Sequence, residues 1–247
     1  MVHEAAATGF SRDTDRYHRS RPTYHPELSK RVAERYGKGV MVELGAGTGI
    51  FTRQLVDEGL EVIALEPVIA MRTALSEAVP EADVRVGSAE KIPMADGTVD
   101  TIVAAQAFHW FDLEPALDEI HRVLVPGGHL VTAWNVRDNS VPWMADYDKI
   151  MERHAGSTPR YRSMAWRKAI HGDERFSPID EWRMANPYTT SVDGAVERAL
   201  STSFISALPS ETMDKVADEV RAIVEPHGPD VEFPYESQMQ SWRKGND

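Results

Sequence analysis

Residues 40–52 read Val-Met-Val-Glu-Leu-Gly-Ala-Gly-Thr-Gly-Ile-Phe-Thr, and this stretch decides the fold. A short apolar run reaches an acid at Glu43, and three glycines then occupy alternate positions from 45 to 49. An amphipathic segment begins at Ile50, with apolar residues spaced for one face of a helix. The pattern predicts a strand, a tight turn and a helix, the first unit of a doubly wound α/β sheet. Glycines allow positive φ in such a turn and let a ligand lie against bare backbone at the helix start.

The residues around the glycines narrow the choice of ligand. A P-loop would end in Gly-Lys-Ser or Gly-Lys-Thr, whereas Gly47 is followed by Thr48-Gly49-Ile50. The dinucleotide fingerprint Gly-x-Gly-x-x-Gly also differs from the Gly-x-Gly-x-Gly spacing of this turn. Glu43 would repel a pyrophosphate, but it suits a ligand with a sulfonium or ammonium group. The turn therefore favours S-adenosylmethionine.

Composition sets bounds on the class of protein. The 247 residues are enough for one sizeable core, and 27% charged and 42% hydrophobic residues are typical of a globular chain. The net charge of −12 argues against nucleic acid as the main partner. The chain has no apolar run of membrane-spanning length, no secretion signal at its start and no cysteine. We therefore expect a cytoplasmic protein that does not contact a membrane.

The segment Glu-Leu-Gly-Ala-Gly-Thr-Gly at 43–49 resembles the first motif of the class I S-adenosylmethionine-dependent methyltransferases, of the type 11-like group. Later segments match this family in order over roughly residues 10–136. The resemblance implies a doubly wound, mostly parallel sheet of seven strands with an antiparallel last strand. It also implies a cofactor-covering arm at 1–25, a single methyltransferase domain at 26–247 and a helical lid insertion at about 140–172 that binds the acceptor.

The resemblance also implies which residues hold S-adenosylmethionine. Glu66 lies about twenty residues beyond the turn, where an acid accepts hydrogen bonds from ribose hydroxyls. Ser88 stands where many relatives have Asp, so the adenine would depend on the backbone of Ala89 or on Glu90. Met71 would flank the adenine or belong to the core. The cofactor-binding residues expected in this way are Tyr17, Arg21, Tyr24, Glu43, Gly45, Ala46, Gly47, Thr48, Glu66, Pro67, Met71, Ser88, Ala89, Glu90 and Gln106.

The N-terminal arm allows two interpretations. By the resemblance, Tyr17 and Tyr24 close the cofactor pocket and Arg21 approaches the methionine carboxylate. Alternatively, the tyrosines cap the core and the arginines of this segment form a solvated face. The sequence leaves both interpretations open.

The loop at 106–111, Gln-Ala-Phe-His-Trp-Phe, follows the predicted fourth strand and should face the transferred methyl group. Amino-methyltransferases that act on nucleic acids carry Asp/Asn-Pro-Pro-aromatic here, and this chain does not. Carbon-5 cytosine and arsenite methyltransferases need cysteine, which is absent. Small-molecule acceptors with an oxygen, nitrogen or carbon nucleophile remain.

His109 is the candidate catalytic residue, because it is the residue of this loop able to take a proton near neutral pH. The alternative is that it only positions the substrate, since methyl transfer often needs no more than proximity and orientation. Trp110, Trp134 and Trp143 are candidate substrate-binding residues, although buried aromatic packing explains them equally well. We expect no metal site.

The C-terminal half carries weaker signals. Residues 174–186 are expected to hold the sixth strand, and a helix containing Met213 and Ile223 should begin with Ser210 as its cap. The alternating segment Val231–Tyr235 is expected to be the closing antiparallel strand.

Two other functions compete with methyl transfer. A nicotinamide-dependent oxidoreductase would share the fold, but the glycine spacing and Glu43 disfavour it. A protein that binds S-adenosylmethionine without catalysis is the other alternative. The acceptor, its attacking atom and the oligomeric state cannot be inferred from these residues.

Overall fold

The structure, a computed structural model, describes residues 20–245. Tyr17 and most of the predicted arm at 1–25 lie outside the described residues. The helices and strands from Pro26 onward follow in this order: α1 Pro26–Tyr36, β1 Met41–Leu44, α2 Ile50–Asp57, β2 Val62–Leu65, α3 Ile69–Ala78, β3 Asp83–Arg85, β4 Val99–Ala105, α4 Leu113–Val123, β5 Leu124–Arg137, α5 Pro142–His154, α6 Ala165–Gly172, β6 Phe176–Ala185, β7 Tyr188–Ser191, α7 Val192–Leu200, α8 Ser203–Ser206, α9 Ser210–Val224, β8 Asp230–Phe233 and β9 Tyr235–Lys244.

Seven of the strands form one sheet in the order β3-β2-β1-β4-β5-β9-β6. Pairs among β1 to β5 are parallel, whereas β9 is antiparallel to both β5 and β6. From β1 the chain first builds the sheet outward to β3 on one side and then returns to build β4 and β5 on the other side. The strand order therefore reverses between β1 and β4, and ligands bind in such sheets in the crevice at the carboxyl ends of these two strands. The predicted doubly wound sheet with an antiparallel last strand is confirmed.

Helices cover both faces of this sheet, and its central strands are therefore buried. All four residues of β1 are buried, as expected for a central parallel strand. The amphipathic helix α4 turns Ala116, Leu117, Ile120 and Val123 inward. None of the helices between residues 20 and 245 is long and apolar enough to cross a bilayer.

The prediction that Val231–Tyr235 closes the main sheet is wrong. Residues 230–233 form β8, which pairs with β7 in a separate two-stranded sheet. The closing strand is β9, which begins at Tyr235. Pro234 explains the change of sheet, because its nitrogen carries no hydrogen for a continuous ladder. The alternation of apolar and polar residues thus continues through Pro234, but the residues before and after it pair with different strands.

The predicted cap at Ser210 is also wrong. Ser210 is the first helical residue of α9, and the N-cap is Pro209, which has no side-chain cap. The Pro209 carbonyl instead accepts hydrogen bonds from the amides of Thr212 and Met213, both at 3.0 Å. The helix itself lies where it was predicted.

A second hydrophobic cluster lies beside the main sheet. It combines α5, through residues such as Met144 and Tyr147, with residues of α7, α9 and β8. Helix α6 does not belong to it, since Trp166 and Ile170 pack into the core of the main sheet. The helices of this cluster thus lie at 142–154 and within 192–224. The predicted lid insertion at about 140–172 contains only the first of these helices, α5.

Gly49 brings α2 close to α3. Its φ is +86°, and a Cβ atom there would lie 2.5 Å from Leu75 Cδ1 and 2.9 Å from Val79 Cγ2. Gly59 has a similar φ of +83°, but a Cβ atom there would meet nothing within 4 Å. Substitution at the two glycines therefore distinguishes the cost of backbone strain, which both share, from the cost of crowding, which only Gly49 has.

We expect Gly59→Ala to lower the free energy of unfolding by about 1–2 kcal/mol, the cost of a left-handed residue with a Cβ atom. Gly49→Ala should cost about 1–3 kcal/mol more, because the added methyl also overpacks α3. Urea denaturation of both variants measures the difference. Equal losses would contradict the crowding argument.

Candidate functional site

A cavity of about 320 Å³ opens at the carboxyl ends of β1, β2 and β4. Every predicted cofactor-binding residue that the structure describes lines it. These residues are Arg21, Tyr24, Glu43, Gly45, Ala46, Gly47, Thr48, Glu66, Pro67, Met71, Ser88, Ala89, Glu90 and Gln106. The loop after β4 adds His109 and Trp110 to the wall, and α5 and α7 contribute the opposite side. The topology thus gathers residues from well-separated parts of the chain into one site.

The glycine turn is held against the end of β2. The amides of Gly45 and Ala46 donate to the Leu65 carbonyl at 2.9 and 3.2 Å, and the Gly47 amide donates to Glu66 Oε2 at 2.9 Å. Gly47 has φ +60°, and a Cβ atom there would meet nothing within 4 Å. Because Gly47 also lines the cavity, the space beside it is open for a ligand to approach the backbone.

Glu66 is buried and makes two backbone hydrogen bonds. Its Oε1 accepts from the Val68 amide at 2.8 Å, while Oε2 accepts from Gly47. Burial raises the pKa of this carboxyl, and the two amides and the charge of Arg72 oppose that rise. Each carboxyl oxygen retains a lone pair for a further donor, which suits the hydroxyl groups of a ribose.

Glu43 is more deeply buried, with 1% of its surface exposed. Burial raises its pKa to about 8, the hydrogen bond from Thr52 Oγ1 at 2.6 Å lowers it, and the charge of Glu66 raises it further. The carboxyl is therefore largely protonated at neutral pH. A cationic group placed beside it would favour its ionised form.

A tight turn at residues 88–91 forms another part of the cavity wall. The amides of Ser88 and Lys91 exchange hydrogen bonds with each other's carbonyls, at 3.4 and 3.1 Å. Glu90 Oε1 accepts a hydrogen bond from the Asp112 amide at 3.1 Å, so this carboxylate also ties the turn to the start of α4. Met71 is buried in the wall beside them.

The loop after β4 begins with strained backbone. Gln106 has φ +53°, an uncommon conformation for a residue other than glycine. Its amide donates to the Ala133 carbonyl at 2.8 Å, and its Nε2 donates to the Asn135 carbonyl at 2.7 Å. Strain of this kind persists where surrounding bonds impose it, and it clusters at functional sites.

His109 lies in the cavity wall against two tryptophans. Its ring centroid is 4.9 Å from that of Trp110 and 5.6 Å from that of Trp134. Nδ1 is buried without a hydrogen-bond partner among residues 20–245, and burial lowers the pKa to about 3. The lowered pKa disfavours His109 as a group that takes a proton near neutral pH, and its catalytic role stays a prediction. A neutral imidazole can still exchange a hydrogen bond with a ligand.

The segment before α1 is fastened over the cavity. The Thr23 carbonyl accepts hydrogen bonds from Asn135 Nδ2 at 3.0 Å and Asn186 Nδ2 at 2.8 Å. Tyr24 and Gln54 exchange backbone and side-chain bonds at 2.9 and 2.8 Å. Tyr24 is 5% exposed, lines the cavity and packs into the core. That it closes over the cofactor stays a prediction.

Comparison with known proteins identifies the family. Residues 42–132 match the family described as a methyltransferase domain. The chain is 34% identical to an uncharacterised methyltransferase-like protein of Schizosaccharomyces pombe over 227 residues, which cover 90% of this chain and 88% of that protein. The chain belongs to the class I S-adenosylmethionine-dependent methyltransferases. It is also 32% identical to an uncharacterised methyltransferase of Mycobacterium tuberculosis over 211 residues, 85% of this chain and 83% of that one.

Solved structures share the fold of this methyltransferase. The YcgJ protein of Bacillus subtilis matches with a TM-score of 0.57 and 17% identity, covering 93% of this chain and all of that one. Geranyl diphosphate C-methyltransferase of Streptomyces coelicolor, solved with Mg²⁺, geranyl-S-thiolodiphosphate and S-adenosyl-L-homocysteine, has a TM-score of 0.51 and 14% identity. That match covers 88% of this chain and 75% of the other. These likenesses establish the fold of the methyltransferase, whose cofactor is S-adenosylmethionine.

Two predicted substrate-binding residues do not line the cavity. Trp134 is fully buried among Tyr161 and Trp166, with ring centroids 4.9 and 4.7 Å away. Trp143 packs on His227 and Phe233 in the second cluster. Aromatic packing in the core explains both. Trp110 remains in the wall, and its role stays a prediction.

Sequence reasoning missed the residues that the far wall contributes. Arg137, at the end of β5, Arg198, on α7, and Tyr235, at the start of β9, all line the cavity. A signal existed for Arg198, because it lies three residues after Ala195 and shares the buried face of its helix. A charged residue in an apolar helix face is rarely fully buried unless it has a partner of opposite charge or a ligand.

Glu43 makes the stability of the methyltransferase depend on pH. Its pKa is about 8 in the folded chain and 4.5 in its ordinary environment, so the folded state holds a proton that the unfolded state loses between these values. Stability should therefore fall as pH rises from about 5 to 8, and Glu43→Gln should remove this contribution. As pH rises through this range, the free energy of unfolding of Glu43→Gln should increase relative to that of the wild type by up to about 1.4 kcal/mol per pH unit.

Urea denaturation of the wild type and Glu43→Gln at intervals from pH 4.5 to pH 8.5 measures this change. Glu61→Gln, at an exposed position, serves as the matched control. A difference between the wild type and Glu43→Gln that is constant over the range would show that Glu43 is ionised in the folded chain.

Proposed function

We propose that this methyltransferase transfers a methyl group to an oxygen, nitrogen or carbon atom of a small-molecule acceptor. The observation that carries the proposal is the continuous cavity, which joins the open face of the glycine turn to the loop of His109 and to the helical wall beyond it. One end fits an adenosyl group, and the other offers an enclosed space for an acceptor.

The residues present fit S-adenosylmethionine. Gly47 leaves open space where a Cβ atom would stand, and Glu66 beside it has free lone pairs for ribose hydroxyls. Met71 and the turn at 88–90 would hold the adenine between an apolar side chain and backbone groups. Glu43 would meet the positively charged methionine end, since a cation stabilises its ionised form.

When bound, S-adenosylmethionine supplies a methyl group activated by a sulfonium centre, and the methyl acceptor displaces S-adenosylhomocysteine. The chain contributes orientation and exclusion of water, which together account for a large share of the rate in transfers of this kind. Gln106, fixed by two hydrogen bonds to β5, would shape the wall beside the methionine. His109, which lines the cavity, would orient the acceptor rather than remove its proton.

A small acceptor agrees with the dimensions and charge of the site. The cavity must accommodate both cofactor and acceptor, and α5 and α7 line its far side. The net charge of −12 disfavours a nucleic acid strand across the opening. Geranyl diphosphate C-methyltransferase, which has the same fold, was solved with a small-molecule acceptor analogue and with S-adenosylhomocysteine.

Calorimetric titration with S-adenosylhomocysteine tests the cofactor site. We expect Glu66→Ala to weaken binding about 10- to 100-fold, because hydrogen bonds to a charged group are worth about 1.5–3 kcal/mol. Glu61→Ala, which removes an exposed carboxylate before β2, should bind within twofold of the wild type. Unchanged affinity in Glu66→Ala would remove Glu66 from the ribose site.

Methyl transfer is tested with S-adenosylmethionine carrying an isotopic methyl label and a panel of small hydroxylated, amino and carboxylic compounds. Transfer of label to a compound supports the proposed function. Stabilisation by NADH or NADPH, with none by S-adenosylhomocysteine, would overturn it in favour of a nicotinamide enzyme.

The His109 imidazole should stay neutral from pH 5 to pH 8 in the complex with S-adenosylhomocysteine, because burial disfavours its charged form. An NMR titration of histidine-labelled protein measures this, with His109→Gln identifying the signal. The same chain unfolded in urea, where His titrates near about 6.5, is the reference. Titration of the folded signal near neutral pH would restore His109 as a candidate general base.

A further inference from the structure

The two ends of the cavity are lined by ionisable residues of opposite type. Glu43 and Glu66 lie by the glycine turn, whereas five arginines line the far wall: Arg21, Arg137, Arg160, Arg162 and Arg198. Two carboxylates compensate part of this positive charge. Asp148 pairs with Arg137 at 2.6 Å and with Arg162, and Glu152 pairs with Arg160. In a chain with a net charge of −12, this excess of positive charge is local to the site.

Arg198 is the least compensated of these arginines. It is only 6% exposed, and its Nε and Nη1 atoms are buried without hydrogen-bond partners. It forms no ion pair with any residue in the range 20–245. A guanidinium carries five donors and keeps its charge at every physiological pH. A buried cation without a counter-ion is unfavourable, so this side chain is suited to an anion that enters the cavity.

Tyr235 lies among the same guanidinium groups. Burial alone would raise its pKa, but the charges of Arg198, Arg137 and Arg21 outweigh burial and lower it. The hydroxyl of Tyr235 is thus within electrostatic reach of all three arginines. Two guanidinium forks and a phenol hydroxyl together resemble the donor sets that hold carboxylate and phosphate groups.

We propose that the methyl acceptor carries an anionic oxyacid group, a carboxylate or a phosphate, which binds between Arg198 and Arg137 beside Tyr235. This inference rests on the proposed function, since it names the substrate class of the same cavity. The methionine carboxylate of the cofactor accounts for one anion. Leaving Arg21 aside, the guanidinium groups of Arg137, Arg160, Arg162 and Arg198 have ion pairs only with Asp148 and Glu152 among residues 20–245, so one further carboxylate leaves positive charge that a second anion can neutralise.

The test uses the wild-type chain saturated with S-adenosylhomocysteine and titrates it with succinate, inorganic phosphate or diphosphate. We expect at least one of these anions to bind and to raise the melting temperature. Succinate binding alone indicates a carboxylate acceptor, and binding of the phosphates alone indicates a phosphorylated one. Arg198→Gln should weaken that binding at least tenfold. Arg221→Gln is the matched control, because Arg221 lies on α9 at the surface, paired with Asp193, and should leave binding within twofold.

A second variant separates a binding role from a structural one. Arg198→Met keeps a flexible, unbranched side chain and removes a buried charge that has no counter-ion. We therefore expect it to raise the melting temperature of the ligand-free chain by about 2–5 °C while abolishing anion binding. A structural role for Arg198 predicts the opposite sign, a lower melting temperature.

Three results would overturn the inference. The first is that none of the anions binds to the wild type in the presence of S-adenosylhomocysteine. The second is that Arg198→Gln binds them normally. The third is that Arg198→Gln loses affinity for S-adenosylhomocysteine but not for 5′-methylthioadenosine, which lacks the carboxylate and would assign Arg198 to the cofactor. Failure of the wild type to bind S-adenosylhomocysteine at all would instead contradict the proposed function.

Discussion

The carboxylate of Glu66 joins two neighbouring strands at the point where each stops pairing. One oxygen accepts the Gly47 amide of the turn after β1, and the other accepts the Val68 amide after β2. Together with the bonds from Gly45 and Ala46 to the Leu65 carbonyl, it fixes a glycine turn that would otherwise be free to move. The open face beside Gly47 exists because this turn is held, so the rest of the site is arranged around it.

Burial determines the protonation of the site more than local pairing does. Glu43 and Glu66 both have raised pKa values, and the pKa of His109 is lowered, with removal from water as the largest cause in each case. Free of ligand, the turn end of the cavity therefore carries less charge than its residue types suggest. Arg198 cannot adjust in this way, because a guanidinium does not lose its proton. The cationic end thus keeps its charge while the acidic end can gain or lose it.

The parts of the fold that the sequence predicted depend on short-range patterns. The run at 40–52 combines an apolar strand, a left-handed turn and an amphipathic helix, and each is readable within a few residues. Glu66 was predictable because the spacing between the turn and the next strand end is nearly constant in this fold. The described residues that these patterns predicted to bind the cofactor all line one cavity.

Long-range pairing explains what the sequence could not provide. Val231 and Tyr235 alternate like one strand, yet Pro234 sends them to different sheets. Trp134 and Trp143 have the side chains of an acceptor wall, but packing with distant aromatic residues buries them elsewhere.

Arg198 stands about 150 residues beyond the glycine turn, and its place in the cavity depends on how the second hydrophobic cluster docks on the sheet. A sulfonium cofactor and an acceptor with an anionic group would together need both signs of charge in one site. The acids near the turn follow from local sequence. The arginines that complete the charge pattern come from β5 and α7, and only the tertiary structure brings them opposite the acids.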